Sequence, residues 1–181
     1  AGVMVTASHN PSKYNGYKVY GADGCQITTK AAEDIFAEIQ KLDIFNDVNV
    51  IDFIRGMDAG LISWIGEEVY IDFIEAVKKQ SVLFGDEVDK SVSIVYSPLN
   101  GTGLKPVLVS EQEQPDGHFP TCPYPNPEIR EAMSLGMEYA SRCGAELLLA
   151  TDPDCDRVGI AVKDAGGEMI LLSGNETGIL L

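Results

Sequence analysis

The chain has 181 residues, 45% of them hydrophobic, with 28 acidic against 13 basic side chains and a formal net charge of −15. That length allows one large or two small domains with a buried core, and the acidic balance argues against nucleic acid or an anionic membrane as partner. With no charged-then-apolar leader and no apolar run long enough to cross a bilayer, the expectation is a cytoplasmic protein. Cys25, Cys122, Cys143 and Cys155 show neither Cys-x-x-Cys spacing nor a dense framework, so reduced thiols are expected and zinc is unsupported.

Residues 2–5 are apolar and read as a strand that delivers the polar loop Thr6-Ala7-Ser8-His9-Asn10-Pro11. A serine at a strand end, with only small neighbours before it, is accessible for chemistry. Thr28 and Thr29 precede a helix in which Ile35, Phe36, Ile39 and Leu42 recur at helical spacing, the mark of a core face. A second helix over 67–81 places Val69, Tyr70, Phe73, Ile74 and Val77 on its buried side. The stretch 55–66 between them is read as a hinge, dividing the chain into 1–65 and 66–181.

Residues 92–96 read as a strand entering Gly101-Thr102-Gly103. Such a glycine pair can bring backbone N–H groups to a phosphate, but a tight strand-to-helix turn is the preferred reading. Asn126 and Pro127 suit the N-cap and first position of the next helix. An apolar run over 147–150 then leads into Asp152-Pro153-Asp154-Cys155-Asp156-Arg157. Three carboxylates at alternate positions repel one another unless a divalent cation neutralises them, and oxygen ligands suit a hard ion such as Mg2+ rather than the Cys155 sulfur. Segments 158–162 and 168–172 form a hairpin across 164–167, and Ser173 with Glu176 makes a capping box that opens a final helix. Alternating strands and helices with such a hairpin predict an α/β fold with a mixed sheet.

Two familiar constellations fail. A Ser-His-Asp triad is not made by adjacent Ser8 and His9, and no Gly-x-Ser-x-Gly elbow is present. An EF-hand reading of Asp152, Asp154 and Asp156 fails at loop position six, which is Arg157, and at position twelve, which is Lys163.

The serine loop, the Asn15-Gly16-Tyr17-Lys18 that follows it, and the Asp152 to Arg157 loop occur in one order and resemble the alpha-D-phosphohexomutases. The segments Ser97-Pro98-Leu99-Asn100-Gly101-Thr102-Gly103 and Cys122-Pro123-Tyr124-Pro125-Asn126-Pro127-Glu128 look most like bacterial phosphoglucomutases. The resemblance implies three-layer α/β/α domains with mixed sheets, and two domains of a four-domain mutase. Residues 1–65 would be the C-terminal part of a phosphoserine-bearing domain 1, and 66–181 a metal-loop domain 2. Domains 3 and 4 of the same polypeptide would carry the sugar-recognition loops.

It further implies that Ser8 is phosphorylated and that Ser8, Asp152, Asp154 and Asp156 hold Mg2+. Lys18 would be a proton-transfer group, Arg157 would grip phosphoryl oxygens, and His9 would either orient a phosphoryl oxygen or serve as a local hydrogen-bonding group. Ser8, His9, Lys18 and Arg157 would together bind a phosphosugar, with glucose 1,6-bisphosphate as intermediate in the exchange of glucose 1-phosphate and glucose 6-phosphate. Because the global charge repels an anionic substrate, local cations must hold it, Lys13 among them. The alternatives are a phosphomannomutase or related phosphosugar mutase, or an inactive fragment that only binds Mg2+ and phosphosugar. The few residues over 104–108 before the acidic stretch 111–116 leave no room for a crossover helix and another strand, which need about 12 residues or more. Residues are therefore expected to be missing near Val107 and Leu108.

Overall fold

A computed structural model describes residues 1–82, 91–103 and 109–180. The chain forms two compact units, one of Ala1–Gln26 with Asp89–Leu181 and one of Ile27–Val88. The gap expected near 107–108 falls outside the described residues.

The first unit opens with an antiparallel pair, β1 (Gly2–Val5) and β2 (Tyr17–Tyr20), in which Met4 faces Lys18 and Val5 faces Tyr17. The Ile27–Val88 unit contains α1 (Thr29–Ile39), α2 (Phe53–Asp58) and α3 (Glu67–Lys78). Helix α2 takes up the start of the stretch read as a hinge, and its first turn is capped by the Asp52 carboxylate, which accepts the Arg55 N–H at 3.1 Å.

The apolar stripes of α1 and α3 have the predicted spacing but are not the core faces expected. Phe36 is 57% exposed and Phe73 68%, and neither helix has a buried residue. Periodicity registers that a helix has an apolar side; it does not register whether an opposing surface is present to cover it. Leu42, counted with the first stripe, lies beyond the end of α1.

The core belongs to the other unit. Strands β3 (Ile94–Ser97), β4 (Leu147–Thr151), β5 (Val158–Lys163) and β6 (Met169–Leu171) form one mixed sheet in that order, β3 parallel to β4 and the remaining pairs antiparallel. A parallel pair needs a crossover, and α4 (Arg130–Cys143) lies between β3 and β4 in the chain. Its Ala132, Met133, Gly136, Met137 and Ala140 share one buried face. They meet Val95 of β3, Leu148 and Ala150 of β4, Ala161 of β5 and Met169 of β6. A Cβ on Gly136 would lie 2.9 Å from Leu148 Cδ1, so a side chain there would force the buried Leu148 to shift. After the β5–β6 hairpin, α5 (Gly174–Leu180) begins at the predicted capping box: the Ser173 N–H donates to Glu176 Oε2 at 2.7 Å, and the Glu176 N–H donates to Ser173 Oγ at 3.3 Å.

Asn126 does not cap α4. Its side-chain oxygen accepts the Glu128 N–H at 3.0 Å in a local turn, and the helix starts at Arg130 with Ile129 as N-cap. Pro127 is fully buried, with its carbonyl against Gly159 of β5, and this packing holds the segment out of the helix.

Leu148 has no exposed surface, so Leu148→Ala should cost about 2–5 kcal/mol of unfolding free energy. Urea denaturation of the chain measures it, and a loss below about 1 kcal/mol would place Leu148 outside the core.

Candidate active site and metal centre

The C-terminal ends of the parallel strands β3 and β4 carry two loops side by side, the edge at which open α/β sheets present ligand sites. Strands β4 and β5 remain paired up to Thr151 and Val158, so residues 152–157 must reverse the chain in a compact loop. Asp152 organises that reversal. Its Oδ1 accepts the N–H groups of Asp156 at 3.1 Å and Arg157 at 3.0 Å, while Cys155 adopts φ +59°. The neighbouring loop braces it: the Thr102 N–H and Oγ1 both donate to the Pro153 carbonyl, at 3.0 and 3.1 Å. Gly101 lies so near Pro153 that any side chain there would collide with its backbone. The Gly101-Thr102-Gly103 segment is thus a tight turn that supports the acidic loop.

The serine loop meets this structure. Ser8 Oγ lies 3.2 Å from Asp152 Oδ2 and 3.2 Å from Asp154 Oδ1, so its single proton can go to one carboxylate at a time. It is also 3.3 Å from His9 Nδ1. Lys18, on β2, donates to Asp154 Oδ2 at 3.0 Å and Asp156 Oδ2 at 2.7 Å. Arg157 Nε stands 3.9 Å from Asp152 Oδ2. All the residues singled out from the sequence as catalytic or metal-ligating therefore converge, although Ser8 and Asp152 are 144 positions apart. Lys13 does not join them; its ammonium lies 5.3 Å from the Tyr14 ring centroid.

The three carboxylates are unlike in environment. Asp152 is fully buried, whereas the Asp156 side chain is 51% exposed. Burial, then the hydrogen bond shared with Asp154, pushes the Asp152 carboxyl up to about 6. Burial also raises Asp154, but the hydrogen bond from the Lys18 ammonium and those from Asp152 and Ser8 outweigh it and hold this carboxyl below its ordinary value. The hydrogen bonds to Asp156 and Asp154 raise Lys18 above the ordinary lysine value, fixing it as the ammonium. Burial, followed by the Arg157 charge, lowers His9 and favours its neutral imidazole.

One oxygen from each of Asp152, Asp154 and Asp156 can be chosen so that all three lie within 4.8 Å of one another. An all-oxygen donor set of this kind, with Ser8 Oγ beside it, fits a hard divalent cation. Two contributors were not evident from the sequence. Thr6 Oγ1 reaches Asp154, and the Tyr124 ring lies 5.9 Å from the His9 ring. Both residues sit within the quoted motifs, but no local pattern assigns them a partner.

Residues 68–167 match the family model for phosphoglucomutase/phosphomannomutase, alpha/beta/alpha domain II, and residues 1–44 match that for alpha/beta/alpha domain I. A phosphoglucomutase of Staphylococcus epidermidis is 37% identical over 194 residues, covering all of this chain and 35% of the relative. A phosphoribomutase of Saccharomyces cerevisiae is 37% identical over 204 residues, covering 99% of this chain and 33% of the relative. Among solved structures, a phosphoglucomutase/phosphomannomutase family protein from Burkholderia thailandensis superposes with a TM-score of 0.59 at 23% identity, over 93% of this chain and 34% of its own. The fold and the matched domains define a mixed α/β protein of the phosphohexomutase class. The chain belongs to the phosphoglucomutase/phosphomannomutase family, and it spans about a third of the length of these curated relatives.

A cation at this cluster competes with the proton that burial favours on Asp152 below about pH 6. Mg2+ affinity, measured by calorimetry, should therefore weaken as pH falls from about 7.5 to about 5, with proton release on binding. The sign follows from the raised carboxyl: protonated below about 6, it opposes the cation there and ligates it above. An affinity that does not change across that range would remove Asp152 from the ligand set.

Proposed function

We propose that the chain forms the phosphoryl-transfer part of a phosphohexomutase that interconverts glucose 1-phosphate and glucose 6-phosphate. The observation that carries this reading is the Ser8 hydroxyl held 3.2 Å from two carboxylates, with the Lys18 ammonium and the Arg157 guanidinium alongside. Ser8, once phosphorylated, gives its phosphoryl group to a free hydroxyl of the hexose monophosphate. The resulting glucose 1,6-bisphosphate turns in the cleft and returns its other phosphoryl group to Ser8, so the enzyme ends as it began.

Transfer of this kind is catalysed mainly by positioning and charge stabilisation. Asp152, Asp154 and Asp156, with an oxygen on Ser8, would hold Mg2+, which offsets charge on the transferring group when bound. Arg157 is suited to a bidentate grip on phosphoryl oxygens. His9, neutral and within reach of Ser8 Oγ, can orient one of them. Lys18 is anchored as the ammonium by Asp154 and Asp156 and so can give a proton; to take one it must first lose a proton, which that pairing opposes. The substrate is a phosphosugar, and further domains of the same polypeptide select its hydroxyl stereochemistry. The division into 1–65, bearing Ser8, and 66–181, bearing the carboxylates, is part of the same proposal; the family matches over 1–44 and 68–167 support it.

Expressed from its complete reading frame and incubated with glucose 1,6-bisphosphate and Mg2+, the protein should gain one phosphate that peptide mapping locates on Ser8. Ser8→Ala should abolish both this label and the interconversion while leaving the circular dichroism unchanged; normal turnover in that variant would sink the assignment. Asp154→Asn should weaken Mg2+ binding by at least about tenfold, the cost of losing even a supporting group at a metal centre. An unaltered metal dependence would take the acidic loop out of the mechanism.

A further inference from the structure

Ser8 has φ +53°, a left-handed conformation that residues with side chains rarely adopt. Something must hold it there, and the adjoining residue Ala7 has no polar side chain with which to do so. The Ser8 N–H donates to Thr6 Oγ1 at 2.8 Å. The same hydroxyl donates to Asp154 Oδ2 at 3.2 Å. A threonine oxygen accepting an N–H two residues on is a local turn device, but here its proton is spent on a carboxylate 148 positions away. Donation to a carboxylate polarises the hydroxyl and strengthens its oxygen as an acceptor. Thr6 is itself fixed, its N–H donating to the Gly16 carbonyl at 3.0 Å beside the end of β2.

We propose that Thr6 is a positioning residue: its hydroxyl holds Ser8 in the left-handed conformation that aims Oγ between Asp152 and Asp154, and so locks the serine loop to the acidic loop. The geometric part is independent of the proposed activity, whereas its effect on rate rests on the phosphoryl-transfer reading. The methyl group of Thr6 has no part in either contact. Hydroxyl and methyl are therefore separable by substitution, Thr6→Val keeping the shape and Thr6→Ser keeping the oxygen.

Amide hydrogen exchange by NMR on the unphosphorylated chain tests the positioning. The Ser8 amide should exchange about tenfold faster in Thr6→Val and remain within about twofold of the parent in Thr6→Ser. Thr6→Ala provides a second hydroxyl-free variant with the same expectation should the valine mispack. Unchanged exchange in the hydroxyl-free variants, or equal acceleration in the serine variant, overturns the proposal. In the full-length protein, Thr6→Val should lower kcat by about a hundredfold, as a small misplacement of a reacting group does. KM should barely move, and the serine variant should restore kcat. A KM effect with kcat intact would contradict the proposal. If the parent protein accepts no phosphate on Ser8, the functional reading fails, and the exchange data alone decide the role of Thr6.

Discussion

Three carboxylates gathered beside one serine hydroxyl create a charge problem that the rest of the site is arranged to answer. Asp152, Asp154 and Asp156 bring three formal negative charges into reach of one another, and two of them touch Ser8. Lys18 offsets part of this by bridging Asp154 and Asp156, and the backbone N–H groups of Asp156 and Arg157 offset more at Asp152. A phosphate on Ser8 would add about −1.5 to −2 at neutral pH. The two cationic side chains at the site, Lys18 and Arg157, offset at most two of the three carboxylate charges and leave none for the phosphate. A divalent cation is the economical remedy, and the oxygen-only donor set is of the type such ions prefer.

The fold turns this local problem into a fixed geometry. The β4–β5 hairpin forces the acidic loop to be short, and Asp152 uses one oxygen to brace that loop while the other faces Ser8. Its burial follows from its position at the end of β4, whose Leu148 and Ala150 anchor the core under α4. On the other side, β1 and β2 present Ser8 from a strand end and Lys18 from the paired strand. The lysine that neutralises the carboxylates and the serine that approaches them are thus set by one antiparallel register. A slip of a single residue in that pair would turn Lys18 to the opposite face.

The legible parts of the site were the local ones. Alternating carboxylates after an apolar run mark a clustered acidic loop at a strand end, and a serine in a small-residue loop marks a side chain left only partly buried. The hairpin and the capping box are legible for the same reason, since each is specified within one short stretch of chain. Nothing in the spacing could bring Ser8 to Asp152; that pairing was suggested only by the family resemblance. Thr6 is not legible in the sequence because its partner is distant, nor Tyr124 because ring contacts leave no sequence period. The exposure of α1 and α3 is not legible in their sequences, because an apolar stripe states a preference and not an outcome. Asn126 was misread as a cap because the buried Pro127, packed against β5, overrides a local signal that was otherwise well formed.

The central claim is that Asp152, Asp154 and Asp156 act together on one cation next to Ser8. A crystal structure of the protein grown with Mn2+ in place of Mg2+, with the metal located by anomalous scattering, tests it most directly. The account predicts a single ion bound by an oxygen from each of the three carboxylates, adjacent to the Ser8 oxygen, with Lys18 no longer bridging Asp154 and Asp156. An ion seated elsewhere, or carboxylates still paired with Lys18 at saturating Mn2+, would contradict it.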